Sequence, residues 1–174
     1  MRQAVTAHLL AAATLIVAPL GAQEGGPRQR LLMDHGWSFV RGDVDGAESP
    51  GFDVSEWRIV DLPHDWSIEG PYDEQAPTTG RGGYLPTGVG WYRRVFTVPD
   101  GPDDRRVRVE FDGVYENSDV WINGEHLGRR PNGYASFHYD LTPHLRNGPN
   151  VLAVRVDNSN QPNSRWYSGS GIYR

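Results

Sequence analysis

The sequence has 174 residues, a formal net charge of −5, 17 basic residues that are all arginine, and no cysteine. Without lysine there is no P-loop lysine, Schiff base or lysine general base, and without cysteine there is no disulfide, thiolate zinc site or thiol nucleophile. The acidic balance argues against nucleic acid or an anionic membrane as partner, because both require clustered positive charge.

The length suits one domain. With 6 Trp, 8 Tyr, 5 Phe, 21 Gly and 13 Pro, the composition points to short strands and many turns.

In chain order, Arg2 provides a short positive region, and an apolar run from Leu9 to Leu20 precedes Gly21-Ala22. That run, about twelve residues, is shorter than the roughly 20 a membrane span needs. The pattern reads as a secretory signal over residues 1–22, cleaved after Ala22. A cysteine-free exported chain fits a bacterial periplasm or the extracellular medium, and residues 23–174 then form the mature domain.

Trp37 to Val40 and Trp57 to Val60 are candidate strands. Asp61 to Gly90 lacks periodicity and carries four prolines and a glycine cluster. Loops longer than about 12–15 residues are uncommon unless functional or disordered. Trp66, Tyr72 and Tyr84 inside it predict an ordered, packed excursion. Trp91 to Val98 reads as a strand with Phe96 and Val98 inward, ended by Pro99. Arg106 to Phe111 alternates strictly, placing Val107, Val109 and Phe111 on one face. Asp103 to Arg106 reads as a solvated turn.

Ser118 to Ile122 leads into Asn123-Gly124, the pair a type I′ hairpin requires, with Glu125 to Arg129 as the returning strand. Phe137 to Leu141 and the alternating Val151 to Val156 complete the set. No long 3.6-residue period occurs in the mature chain. Runs of strands with turn signals every 8–12 residues predict an all-β antiparallel sandwich.

The glycine cluster precedes a strand and is followed by no lysine, so it is not a phosphate cradle. The histidines (His8, His35, His64, His126, His138 and His144) lack metal-ligand spacing. No metal, no cofactor and no catalytic set is expected. Asp157 to Gly171 is different in character. It carries Asn158, Asn160, Gln161, Asn163, Arg165, Trp166 and Tyr167, and this amide-rich, aromatic mixture suits a carbohydrate. Amides pair with sugar hydroxyls, and aromatic faces cover the apolar side of a pyranose.

Six motifs occur in order: Leu62-Pro63-His64-Asp65-Trp66, Gly90-Trp91-Tyr92-Arg93-Arg94, Phe111-Asp112-Gly113-Val114, Val120-Trp121-Ile122-Asn123-Gly124, Tyr139-Asp140-Leu141-Thr142 and Ser170-Gly171-Ile172-Tyr173-Arg174. Together they resemble the N-terminal sugar-binding domain of glycoside hydrolase family 2, with β-galactosidases nearest and β-glucuronidases and β-mannosidases further off. The resemblance implies a galactose-binding-domain-like jelly-roll, here lacking its final strand. It also implies a following immunoglobulin-like sandwich and TIM barrel that supply two catalytic glutamates. The family reaction is retaining hydrolysis of terminal β-glycosides, and the domain alone is expected to be inactive.

The resemblance also places a substrate aspartate at Asp157, with Asn158 beside it, and the alternative reading of the pair is an Asx-type turn starter. Asp65 and Trp66 read as flanking the same site, with a local hydrogen-bonding turn at His64-Asp65 as the alternative, and Trp166 and Tyr167 read as sugar-stacking or core residues. Trp121, beside the tight turn, reads as packing. A free-standing carbohydrate-binding module and a purely structural sandwich share the predicted fold.

Overall fold

Ten strands form in the computed structural model, which describes residues 28–101 and 104–174. The expected export segment, residues 1–22, lies outside the described residues, as does Asp103 of the expected turn. The strands are β1 (Trp37–Arg41), β2 (Arg58–Val60), β3 (Gly88–Thr97), β4 (Arg108–Phe111), β5 (Val114–Tyr115), β6 (Ser118–Ile122), β7 (Glu125–Arg130), β8 (Phe137–Asp140), β9 (Pro149–Asn158) and β10 (Gly171–Ile172). No α-helix occurs among the described residues, only two short 3-10 turns at Gly80–Gly82 and Thr142–His144.

One antiparallel sheet has the order β2-β1-β3-β9-β6-β7, and two ribbons, β4-β8 and β5-β10, face it. The alternation in β9 explains the layering. Leu152, Val154 and Val156 are fully buried and form one core with Val109, Phe111 and Phe137 of the first ribbon and Val114 and Ile172 of the second. The expected sandwich is therefore present.

Ala153, on the opposite face of β9, is equally buried, with Ala47 and Trp91. The 42–57 excursion provides this cover and is held down by a buried cation. Arg93 is 4% exposed, and its guanidinium donates to the carbonyls of Ala47 (2.7 Å), Ser49 (2.8 Å) and Pro50 (3.2 Å). A charge removed from water is tolerated when its donors are satisfied in this way.

The hairpin forms as its turn chemistry dictates. Asn123 (φ 52°) and Gly124 (φ 90°) join β6 to β7, and both central residues of a type I′ turn need positive φ. Trp121 stacks on Trp91 at 5.2 Å, in keeping with a packing role.

Two strand expectations need correction. β3 begins at Gly88, inside the glycine cluster, and pairs with β9 along its whole length. Gly90 is a close-approach residue, since a Cβ there would lie 2.7 Å from Trp66 Cζ3 and 3.0 Å from Phe39 Cε2. The buried residues of β3 are Gly90, Trp91, Tyr92 and Arg93; Phe96 is half-buried and packs against the core as expected, while Val98 lies past the strand end. In the long excursion Trp66 alone of the three aromatics is buried, at 1% exposure; Tyr72 and Tyr84 are 78% and 42% exposed.

Candidate functional site

One end of the sandwich gathers the last residues of β9, the residues after β5, the 159–170 segment and the Asp65–Ser67 part of the long excursion. β9 runs as far as Asn158, opposite Gly88, so Asp157 and Asn158 sit on a strand end. Alternation sends their side chains to opposite faces.

Asp157 stays at the surface with 25% of its side chain exposed. Its Oδ1 accepts from the Ser159 amide (3.1 Å) and hydroxyl (2.5 Å), and its Oδ2 faces Arg155 Nη1 at 3.3 Å. Partial burial pushes its pKa up, but the Ser159 bonds and the Arg155 charge outweigh this and leave it below the ordinary value. Asp157 is thus an ionised acceptor, and the Ser159 amide bond closes the Asx turn that its sequence allows.

Asn158 turns inward and is 4% exposed. Its amide donates to Gly169 O (3.0 Å) and Ser170 Oγ (2.6 Å), and its carbonyl accepts from Gln161. With donors and acceptor satisfied internally, it clasps the 159–170 segment and has no surface to offer a sugar. Asp65 is similarly engaged. Its Oδ1 accepts from the amides of Ser67 and Ser170, both at 3.0 Å, and its Oδ2 accepts from the Tyr167 hydroxyl. Burial raises the Asp65 pKa more than these bonds lower it.

Trp66 lies in the core, stacked on Phe39 at 5.8 Å, so neither face is free to meet a pyranose. Trp166 is the opposite case, 68% exposed. Of the six residues singled out from sequence, Asp157 and Trp166 lie at the surface of this end, and Tyr167 is half-buried and bonded to Asp65. Asp65, Asn158 and Trp66 hold it together from within.

Glu116, just after β5, was not singled out. It accepts from the Asn163 amide, its backbone carbonyl receives the Asp157 amide at 3.0 Å, and burial, followed by the neighbouring Asp157 charge, raises its pKa against the Asn163 bond. The strand before it has two residues, too few to carry a periodic signal.

The space between the excursion and the 159–170 segment, bounded by Ser67, Thr78 and Gln161, is about 10 Å³. That holds one water, whereas sites that enclose a small ligand measure roughly 300–1,000 Å³. This end therefore presents a surface. Among the described residues, no group of three or more His, Asp or Glu is placed to hold a metal ion.

A second polar cluster lies below Arg58. His64, 8% exposed, places Nδ1 2.7 Å from Tyr92 Oη and Nε2 3.2 Å from Glu69, and Arg58 pairs with Glu69 at 2.6 Å. Tyr92 is fully buried, so this chain of bonds reaches no accessible nucleophile. Burial holds the His64 pKa below its ordinary value against the opposing Glu69 charge. Because the unfolded chain takes up that proton first, the stability from neutral His64 is present above about pH 6.5 and is lost as pH falls. The urea midpoint should drop more between pH 7.5 and pH 5 in the wild type than in His64→Gln. Equal drops would show that His64 does not carry this dependence.

Comparison with known proteins follows the same lines. Residues 52–174 match the family described as glycosyl hydrolases family 2, sugar binding domain. The chain is 57% identical over 149 residues to the β-galactosidase BoGH2A of Bacteroides ovatus, covering 85% of this chain and 18% of that protein. It is 42% identical over 140 residues to a putative β-glucuronidase of Formosa agariphila, covering 80% of this chain and 14% of that one. A β-glycosidase from Bacteroides vulgatus superposes with a TM-score of 0.79 at 52% identity, over 81% of this chain and 19% of that structure. The chain thus spans about a fifth or less of the length of these relatives.

Proposed function

The chain belongs to glycoside hydrolase family 2, whose sugar-binding domain it carries, and from this membership we propose that it is the N-terminal, substrate-contacting part of a retaining β-galactosidase. The observation that carries the choice of sugar is the 57% identity to a β-galactosidase. In this reading the two glutamates of the retaining reaction, one acid/base and one nucleophile about 5–5.5 Å apart, belong to the barrel of the longer enzyme. The sandwich contributes a wall. Trp166 covers the apolar face of the sugar, and the Asp157 carboxylate accepts hydrogen bonds from its hydroxyls. The absence of an enclosed pocket at this end fits a site completed by another domain.

A β-glucuronidase is the second reading, and one observation favours it: Arg165, beside Trp166, is exposed and has the geometry to pair with a uronate carboxylate.

The test uses the complete enzyme, expressed from its own start codon in a bacterial host. We expect kcat/KM for p-nitrophenyl β-D-galactoside to exceed that for the β-D-glucuronide by about a hundredfold or more. That is on the order of 3 kcal/mol of discrimination, as a site that hydrogen-bonds a particular hydroxyl provides. A preference for the glucuronide would reverse the assignment. Residues 1–22 act as an export signal in this proposal, so protein from the exported fraction should begin at Gln23. A product that stays in the cytoplasm beginning at Met1 would remove that part of it. The domain by itself should show no turnover.

A further inference from the structure

The 159–170 segment has no strand pairing of its own, so tertiary bonds must hold it. At its base the segment is held through Ser170. Trp66 N donates to Ser170 O (3.2 Å), and the Ser67 hydroxyl donates to the Ser170 hydroxyl (2.6 Å). Nearer the tip, bonds among Ser164, Trp166 and Ser168 stay inside the segment. Asn163 is tied to Glu116 and Tyr115, and beside Trp166 itself the side chain of Tyr167 ties the segment to the body, its hydroxyl donating to Asp65 Oδ2, 102 residues earlier.

We propose that Asp65 and Tyr167 form a latch that fixes the 159–170 segment against the 61–87 excursion, and so act as positioning residues for Trp166. The inference rests on the reading that Trp166 contacts the sugar.

The division of bonds on Asp65 supports a latch. Oδ1 takes two amides, one from its own excursion and one from Ser170, while Oδ2 is left to Tyr167. One carboxylate therefore joins the excursion, the base of the segment and the residue next to Trp166. Burial, followed by the Asp65 bond and charge, raises the Tyr167 pKa, so the phenol keeps its proton and remains the donor. A hydrogen bond to a partly buried carboxylate is stronger than a neutral one. Losing it frees the exposed indole to sample positions away from the sugar, at an entropic cost met on binding.

The experiment measures KM, kcat and melting temperature of the complete enzyme with p-nitrophenyl β-D-galactoside, comparing wild type, Tyr167→Phe, Asp65→Ala, Asp65→Asn and Trp166→Ala. Tyr167→Phe should raise KM about tenfold, as expected for one hydrogen bond to a charged group, with a much smaller change in kcat and in melting temperature. Amide exchange over residues 163–168 should quicken in the same variant. Asp65→Ala should raise KM at least as much, and Asp65→Asn should recover most of the loss, since its amide oxygen can take both backbone bonds and its NH₂ can donate to the Tyr167 oxygen.

A lower melting temperature with unchanged KM in Tyr167→Phe would mean a merely structural bond and would overturn the latch. If Trp166→Ala raises KM but Tyr167→Phe does not, the latch fails and the sugar contact stands. If Trp166→Ala leaves KM unchanged, the sugar contact fails and the latch has nothing to position.

Discussion

Replacing Trp66 with alanine should destabilise the sandwich by about 3–5 kcal/mol, the range for removing a large buried aromatic side chain. The indole is 1% exposed and packs between Phe39 and Tyr92. Its Cζ3–Cε3 edge lies where side chains on Gly90 and Gly171 would otherwise be. Glycine backbones cannot close the cavity left behind, so little relaxation is available. The same substitution frees the long excursion, because Trp66 is its buried aromatic.

Trp66→Phe should cost far less, about 1–1.5 kcal/mol. It loses volume, but it also removes an indole Nε1 that is buried without a hydrogen-bond partner, and an unsatisfied donor carries a desolvation penalty of its own. Urea unfolding at constant m-value measures both. A loss below about 1 kcal/mol for Trp66→Ala would show that the excursion is not packed through this residue.

Gly171→Ala should be at least as damaging, for a different reason. Gly171 has φ +119°, and a Cβ there would sit 2.3 Å from Tyr92 Oη and 2.6 Å from His64 O. The backbone penalty of forcing an L-residue into that region adds to a clash with a fully buried phenol and a carbonyl. The neighbouring backbone cannot simply move, because His64 N is bonded to Ile172 O at 2.8 Å and Trp66 N to Ser170 O. A loss of about 3 kcal/mol or more is expected, and the His64–Tyr92 bond should break with it. Gly51→Ala, where a Cβ meets nothing within 4 Å, should stay within about 0.5 kcal/mol. Equal effects at the two sites would rule out the steric explanation.

These two residues mark where sequence reasoning stops. The alternating runs that become β4 and β9 and the Asn123-Gly124 hairpin were legible because each strand has a buried and a solvent face and the turn has a stereochemical requirement. Ala153 was not legible as core, since its cover is the distant 42–57 excursion held by Arg93. Gly88 and Gly90 read as turn residues although they lie in β3. What selects glycine at position 90 is the approach of Trp66, a contact between segments rather than a local preference. β5 and β10, two residues each, are too short for any period to appear.

The same distinction runs through the candidate site. The amide-rich, aromatic composition after β9 was visible, and so was the strand end that carries Asp157. The inward turn of Asn158, the burial of Trp66 and the pairing of Asp65 with Tyr167 were not. A local Asx or turn signal looks the same whether the side chain closes its own turn or bonds a residue a hundred positions away. Asp157 does the first and Asp65 does both.

The most direct measurement is KM of the complete enzyme for p-nitrophenyl β-D-galactoside with and without Trp166→Ala. The indole is 68% exposed, so the melting temperature should hold while KM rises about tenfold, the equivalent of one aromatic contact of roughly 1.4 kcal/mol. An unchanged KM in a fully folded variant would contradict the assignment of this end of the sandwich to the substrate.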